Sequence, residues 1–168
     1  KMKKALREHT RLIVSPKGVS VPIYVGDDIM GEIGNIIPLE TFSKVAVLMD
    51  KNVAYHWGEA VRNLFGKDAV YIVIPAGEEH KNISTAGKIL TSMLKHGLDR
   101  KSLLVNFGGG MVCDTGAFAA SIYMRGISFV NMPTTLLAQT DAAIGGKTGI
   151  DFGGLKNTVG TFAFPLAV

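Results

Sequence analysis

Short apolar runs alternate with helix-forming segments along this chain, and that alternation limits its possible folds more than any other feature. The runs Val45–Met49, Val70–Ile74, Leu103–Phe107 and Ile127–Met132 have the length and composition of buried strands. Helical patterns lie between them, and the connecting segments are short. Strands that alternate with helices in this way form parallel sheets, so we predict an α/β layer fold with a largely parallel sheet.

The two ends of the chain depart from this pattern. Leu12–Val14 and Val19–Val25 flank the turn sequence Ser15-Pro16-Lys17-Gly18, which indicates an N-terminal β-hairpin. A last helix is predicted from Pro133 to about Ala143, and the glycine-rich remainder is predicted to be loop.

Composition excludes several classes of protein. The net charge of +4 comes without a basic cluster denser than Lys1–Arg7, so a nucleic-acid partner is not expected. No apolar run approaches the ~20 residues that cross a membrane, so a membrane partner is not expected either. The single cysteine, Cys113, excludes a disulfide scaffold and is typical of a reducing compartment, and we interpret it as a core residue.

Charged residues are scarce in residues 108–168, which hold only six of the 32 in the chain but eleven of its 20 glycines. Buried charges must be paired or bound to a ligand, so this part contains either internal salt bridges or a polar site. We favour the site. Its only cations are Arg125, Lys147 and Lys156, and three cations among glycines suggest a phosphorylated or carboxylated ligand.

Gly108-Gly109-Gly110 connects a predicted strand to a predicted helix, and Asp114 follows one turn later. Glycines let a phosphate approach the backbone, and the start of a helix offers free N–H groups. The same residues would also make an ordinary tight turn, with Asp114 stabilising the helix dipole. A second cluster, Asp141 with Gly145-Gly146-Lys147, lies further along the chain, followed by Lys156-Asn157.

Two weaker signals have alternative interpretations. Asp50 and Asn52 follow a buried strand, where a carboxylate could bind a ribose hydroxyl or could cap the next helix. Glu78 and Lys81 are three residues apart, so they could form a surface ion pair or hold a ligand together.

At these motifs the chain resembles the 3-dehydroquinate synthase family over essentially its whole length. The resemblance implies that residues 1–168 form a Rossmann-like, NAD-binding N-terminal domain, and that the family's C-terminal, metal-binding helical domain is absent from this chain. The matching segments include Gly77–Lys81, Gly108–Asp114, Pro133–Asp141, Gly145–Gly149 and Gly153–Asn157.

The resemblance also implies roles for the residues at the motif positions. The cofactor-binding residues would be Asp50 and Asn52 on the adenosine side, Glu78 and Lys81 at the adenosine ribose, Gly109, Gly110 and Asp114 at the pyrophosphate and nicotinamide ribose, and Thr134 and Thr135 at the nicotinamide. The residues that line the substrate site would be Asp141, Lys147, Lys156 and Asn157, of which Lys147 and Lys156 also contact the cofactor. Arg125 would reach the substrate phosphate of a neighbouring subunit in a homodimer.

The family is cytoplasmic and converts 3-deoxy-arabino-heptulosonate 7-phosphate, a small sugar phosphate, to 3-dehydroquinate in the shikimate pathway, using NAD and a divalent metal (Zn²⁺ or Co²⁺). No histidine follows His96 and no glutamate follows Glu79, so no metal ligands are expected in this chain, and by itself it is expected to be inactive. Alternatives are another NAD-dependent sugar-phosphate cyclase, a polyol dehydrogenase of the same fold, or a non-catalytic nucleotide-binding fragment. Gly145-Gly146-Lys147 favours the dehydroquinate type.

Overall fold

The computed structural model describes residues 10–14 and 18–168. The described chain begins with an antiparallel pair, β1 (Thr10–Val14) and β2 (Val21–Val25). The N-terminal hairpin predicted from the sequence is therefore confirmed, although Ser15, Pro16 and Lys17 of its turn lie outside the described residues.

A four-stranded parallel sheet forms the centre of the fold. Its strands are β3 (Val45–Asp50), β4 (Val70–Ile74), β5 (Leu103–Gly108) and β6 (Ser128–Pro133), arranged in the order β4-β3-β5-β6. Each was predicted from an apolar run, because strands buried on both faces show little polar alternation. The predicted α/β fold with a largely parallel sheet is confirmed.

Helices cover both faces of this sheet. They are α1 (Ile33–Ile36), α2 (Lys51–Phe65), α3 (Ile83–Lys95) and α4 (Gly110–Ile122). Along β3 the side chains alternate between the faces: Ala46 and Leu48 pack in the core cluster that includes α3 and α4, whereas Val47 and Met49 pack in the cluster with α1 and α2. All four of these side chains are fully buried.

Residues 147–162 form a second antiparallel hairpin, β7 (Lys147–Phe152) and β8 (Leu155–Phe162), so the prediction of a glycine-rich loop here was wrong. Gly153 and Gly154 form the two-residue turn, with φ values of 61° and 79°. A two-residue hairpin turn of this kind needs left-handed backbone at both positions, which glycine adopts without strain. Ile150 and Phe118 of α4 share a small core cluster that fixes the hairpin to the domain.

Residues 166–168 lie between the central sheet and the N-terminal hairpin. The Leu166 N–H donates to the Phe129 carbonyl of β6 at 2.8 Å, and the Tyr24 N–H of β2 donates to the Val168 carbonyl at 2.8 Å. The Val168 N–H in turn donates to the Pro22 carbonyl at 3.0 Å. Main-chain hydrogen bonding thus runs from β6 through this segment to β2. Among the described residues, no helix has the length and apolar character needed to cross a membrane.

Candidate functional site

The loops that follow the parallel strands meet at one edge of the sheet. Asp50 at the end of β3 is paired in register with Ile74 at the end of β4, and Gly108 of β5 is paired with Pro133 of β6. Because parallel strands all end on the same side, every strand-to-helix loop opens onto this edge. We call it the carboxyl edge, and it is where ligands bind in sheets of this kind.

Helix α4 presents its N-terminus to the carboxyl edge without a side-chain cap, because Gly109 occupies the capping position. The space above this turn is narrow: a Cβ atom added to Gly109 would lie 3.2 Å from Cγ2 of Thr135. A helix start with free N–H groups and a glycine at the capping position can accept a phosphate. Phosphate binding by Gly109 and Gly110 therefore stays a prediction.

Lys81 is the most constrained cation near this edge. Only 4% of the residue is exposed, and its Nζ donates at 2.6 Å to Oδ2 of Asp114 and at 2.6 Å to Oδ1 of Asn157. Glu78, the partner considered from the sequence, is further away, with 3.9 Å between its Oε1 and Lys81 Nζ. The ion pair that the sequence allowed is therefore present, and Lys81 also makes a shorter, buried bridge to α4 and β8.

Burial and the neighbouring Lys81 shift the pKa of the Asp114 carboxyl in opposite directions. Burial raises its pKa above the ordinary value, and the nearby carboxylates of Glu78 and Asp141 raise it further, while the hydrogen bond and charge of Lys81 lower it. The pKa stays raised on balance.

A cavity of about 410 Å³ lies between the start of α4 and the β7–β8 hairpin. It brings together two carboxylates, one lysine, one amide and several hydroxyls. The polar residues that line it are Asp114, Asp141, Lys147, Thr148, Asn157, Thr158 and Thr161. Asp114, Asp141, Lys147 and Asn157 were singled out from the sequence, and the fold brings these four to one cavity.

A hydroxyl network on the hairpin wall was not anticipated from the sequence. The Thr161 hydroxyl lies 2.7 Å from the hydroxyls of both Thr148 and Ser121. The Asp151 carboxylate also accepts a 2.8 Å hydrogen bond from the Asn157 N–H, and so orients that residue. Of the residues missed here, Thr148 and Asp151 lie on β7 and Thr161 on β8, a pairing that becomes readable once Gly153-Gly154 is interpreted as a hairpin turn.

Asp141 is presented to the cavity by a π-helical turn, Ala138–Ala142, where an ordinary α-helix was predicted. The Ala143 N–H donates to the Ala138 carbonyl at 3.0 Å, five residues back. The buried Asn131 side chain donates to the Ala143 carbonyl at 3.0 Å. The wider turn is thus held from the sheet below, and π-helical turns are frequent at functional sites.

The other predicted cofactor-binding residues lie along the same edge. Oδ1 of Asp50 accepts the N–H groups of Asn52 and Val53, so the capping interpretation of Asp50 is correct. Asn52 is exposed one residue into α2. Thr134 and Thr135 are exposed after β6, and the Thr135 hydroxyl accepts the Ala138 N–H at 3.3 Å.

Arg125 and Lys156 are not among the residues that line the cavity. Arg125 is exposed beyond the C-terminal end of α4, whereas Asp114, the residue of α4 that lines the cavity, lies in the N-terminal part of that 13-residue helix. Lys156 is exposed next to Asn157, on the turn side of β8.

Cys113 is fully buried, as its interpretation as a core residue predicts. Burial raises the pKa of its thiol, and the adjacent Asp114 raises it further. Within residues 10–14 and 18–168, no group of three or more His, Cys, Asp or Glu side chains is placed to hold a metal ion.

Comparison with known proteins supplies a family for this geometry. The family model described as the 3-dehydroquinate synthase N-terminal region matches residues 71–168. A curated 3-dehydroquinate synthase from Campylobacter jejuni is 48% identical over 131 residues, which are 77% of this chain. The match covers 37% of the length of that relative, so the chain spans well under half of it.

Solved structures resemble the fold closely. A 2-deoxy-scyllo-inosose synthase complexed with carbaglucose-6-phosphate, NAD⁺ and Co²⁺ matches with a TM-score of 0.85 and 25% identity, over 94% of this chain and 44% of that one. The 2-epi-5-epi-valiolone synthase of Streptomyces hygroscopicus, with NAD⁺ and Zn²⁺ bound, matches with a TM-score of 0.76 and 29% identity, over 99% and 44% of the two chains.

Proposed function

This chain belongs to the 3-dehydroquinate synthase family, and we propose from that membership that it binds NAD and contributes to the conversion of 3-deoxy-arabino-heptulosonate 7-phosphate into 3-dehydroquinate and phosphate. The reaction is a cytoplasmic step of the shikimate pathway. The observation that carries the proposal is the position of the cavity, which lies against the uncapped N-terminus of α4 at the carboxyl edge.

The pyrophosphate of NAD fits the start of α4. Gly109 and Gly110 leave the first N–H groups of the helix accessible, and the helix dipole favours a negative group there. Asp114, one turn further into α4, is then close enough to accept a hydrogen bond from the nicotinamide ribose. The adenosine extends toward the loops after β3 and β4, past Asn52 and Glu78, and the nicotinamide lies by Thr134 and Thr135.

The substrate occupies the cavity between α4 and the β7–β8 hairpin. Lys147 binds one of its anionic groups, and Asp141 and Asn157 bind its hydroxyls. Lys156 adds a second cation from the hairpin. NAD, when bound, accepts a hydride from the substrate and later returns it. The protein's own contribution is to orient the reacting carbon beside the nicotinamide and to stabilise the negative charge that develops.

A divalent metal does not fit the described residues. Neither His80 nor His96 lies in a cluster with carboxylates that could coordinate an ion, and no such cluster occurs in the described part of the chain. No step is therefore assigned to a metal held by this chain.

Arg125 supports a homodimer. It is exposed beyond the end of α4 and does not line its own cavity, so it is available to contact a second copy. We place it at the substrate phosphate of that neighbour. Sedimentation of Arg125→Ala with and without the sugar phosphate tests this: ligand should promote dimer formation by the unmodified chain and not by the variant.

Calorimetric titration with NAD tests the cofactor proposal. The unmodified chain and Gly110→Ala should both bind, because a Cβ at position 110 would lie 3.4 Å from Ala142, an ordinary contact distance. Gly110→Asp should bind NAD at least about tenfold more weakly, since a like charge near the pyrophosphate costs more than ~1.4 kcal/mol. Aspartate is well tolerated in the first turn of a helix, so folding should be retained. An unmodified chain that binds no NAD would contradict the proposal.

A further inference from the structure

Lys81 connects three segments that are distant in the sequence. Its side chain bonds Asp114 on α4 and Asn157 on β8, which lie 33 and 76 positions further along the chain. Its own carbonyl accepts the Asp151 N–H of β7 at 2.8 Å. One residue therefore contacts the helix that starts at the glycine turn and both strands of the hairpin that forms the opposite wall of the cavity.

The ammonium of Lys81 is largely enclosed by the protein. Its side chain is only 5% exposed, and the two bonds to Asp114 and Asn157 use two of its three N–H groups. Both acceptors, in contrast, line the cavity. The charge of Lys81 can therefore act on a ligand in the cavity by determining where the Asp114 and Asn157 side chains lie.

We propose that Lys81 is a positioning residue that couples the cofactor side of the site to the substrate side by holding Asp114 and Asn157 on one ammonium group. This inference rests on the proposed function for the identity of the two ligands, NAD and the heptulosonate phosphate. A ligand that binds Asp114 and shifts its carboxylate also shifts the Lys81 ammonium that is bonded to it. The Asn157 side chain, bonded to the same ammonium, shifts as well. Binding of either ligand thereby prepares the site for the other, and such coupling is reciprocal.

The proposal has a test that needs no ligand. In a chain labelled for NMR, Lys81→Met should raise the pKa of the Asp114 carboxyl further, because the group that lowers it is gone. Asp114→Asn should shift the side-chain amide resonance of Asn157, because in the described part of the chain the hydrogen bonds between these residues run through Lys81. Lys88→Met, which removes an exposed lysine from α3, is the matched control and should change neither. An Asn157 side-chain amide resonance that is the same in Asp114→Asn and in the unmodified chain would overturn the proposal.

The second arm measures the coupling itself by calorimetry. The heptulosonate phosphate should tighten NAD binding at least about fivefold in the unmodified chain and in Lys88→Met, and less than about twofold in Lys81→Met. If Lys81→Met fails to fold, Lys81→Met with Asp114→Asn removes both buried charges together and should fold while still lacking the coupling.

The outcomes separate this inference from the proposed function. No NAD binding by the unmodified chain would contradict the function, and the NMR arm would still decide whether Lys81 positions its two partners. NAD binding that is indifferent to the sugar phosphate in the unmodified chain, or coupling that survives in Lys81→Met, would overturn the inference and leave the function in place.

Discussion

Asn106, a residue that never reaches the cavity, supports the site from inside the sheet. It is fully buried in β5 and donates to Oδ1 of Asn131 at 2.9 Å, and Asn131 donates in turn to the Ala143 carbonyl. The two amides thus fix the end of the π-helical turn that presents Asp141. Oδ1 of Asn106 faces Gly116 of α4 and has no hydrogen-bond partner in the part of the chain that the structure describes.

Gly116→Ala should therefore be strongly destabilising. The added Cβ would lie 2.0 Å from Oδ1 of Asn106 and 2.7 Å from Cδ2 of Leu48, so helix and strand must separate. We expect a loss of about 2 kcal/mol or more in the free energy of unfolding, measured with urea. Gly87→Ala in α3 is the control: nothing lies within 4 Å of its Cβ, so it should stabilise by about 0.5–1 kcal/mol. Equal effects would contradict this account of Gly116.

Lys147→Ala should weaken binding of the heptulosonate phosphate by about 30-fold or more, because a charged contact to an anion contributes at least ~2 kcal/mol. NAD affinity should change less than about threefold. Titration of each ligand measures both effects. Lys101→Ala, an exposed lysine in the loop before β5, should leave both affinities unchanged. Unaltered sugar phosphate binding by the Lys147 variant would remove Lys147 from the site.

Among the elements, the β7–β8 hairpin shows where sequence interpretation fails. The strands and helices of the central sheet were predicted because each carries its own local signal, a buried apolar run or a helical spacing. The residues of β8, Leu155–Phe162, lack such a signal, since they are mostly exposed and include polar residues and a glycine. Their pairing with β7 is fixed by the Gly153-Gly154 turn and by packing of Ile150 on α4. The convergence of Lys81, Asp114 and Asn157 depends on this pairing, so spacing in the sequence could not reveal it.

Substitutions in the turn should separate backbone geometry from side-chain size. Gly153→Asn should be tolerated, because asparagine followed by glycine suits a two-residue turn. Gly154→Val should destabilise the hairpin by about 1–2 kcal/mol, since a β-branched residue does not adopt a φ near 79°. Amide hydrogen exchange of β7 and β8 measures the difference. Protection that is equal in the two variants would show that the turn does not determine the hairpin.

Hydrogen bonds to Asp99, in the connection between α3 and β5, should make the free energy of unfolding depend on pH. Asp99 accepts hydrogen bonds from the Ser43 and Ser102 hydroxyls and the Lys101 N–H, and these bonds lower its pKa below the ordinary 3.8. Because the pKa of Asp99 is lower in the folded state, its ionised carboxylate adds to the free energy of unfolding above about pH 4. This stabilisation is lost as the pH falls through the folded-state pKa. Asp99→Asn should therefore unfold more easily than the unmodified chain at pH 6, and the difference should shrink toward pH 2. Urea unfolding across that range measures it, and a difference independent of pH would contradict the assignment.

At the scale of the whole molecule, residues 166–168 join the N-terminal hairpin to the central sheet. Their main-chain hydrogen bonds to Phe129 and Asn131 on one side and to Pro22 and Tyr24 on the other link β6 to β2. No apolar pattern or turn in the sequence pointed to this arrangement, because the pairing partners are far apart in the chain.

Removal of residues 166–168 should undock the hairpin without unfolding the sheet. The Tyr24 amide loses its acceptor, so its hydrogen exchange should accelerate by at least about tenfold, while amides of β3 and β5 stay protected. Leu166→Ala, which keeps every main-chain group, is the control. Unchanged exchange at Tyr24 after the truncation would show that packing alone holds the hairpin in place.

Residues 166–168 also bear on the order in which the parts of the chain fold. The strand–helix–strand units of the sheet bring together residues a few tens of positions apart, whereas the bonds between Tyr24 and Val168 close a loop of about 140 residues. Contacts of such long range form slowly, because most of the chain must already be in place before they compensate for the lost entropy. The docking of the β1–β2 hairpin on the sheet is therefore expected to come last, and refolding should show a late kinetic phase confined to the hairpin.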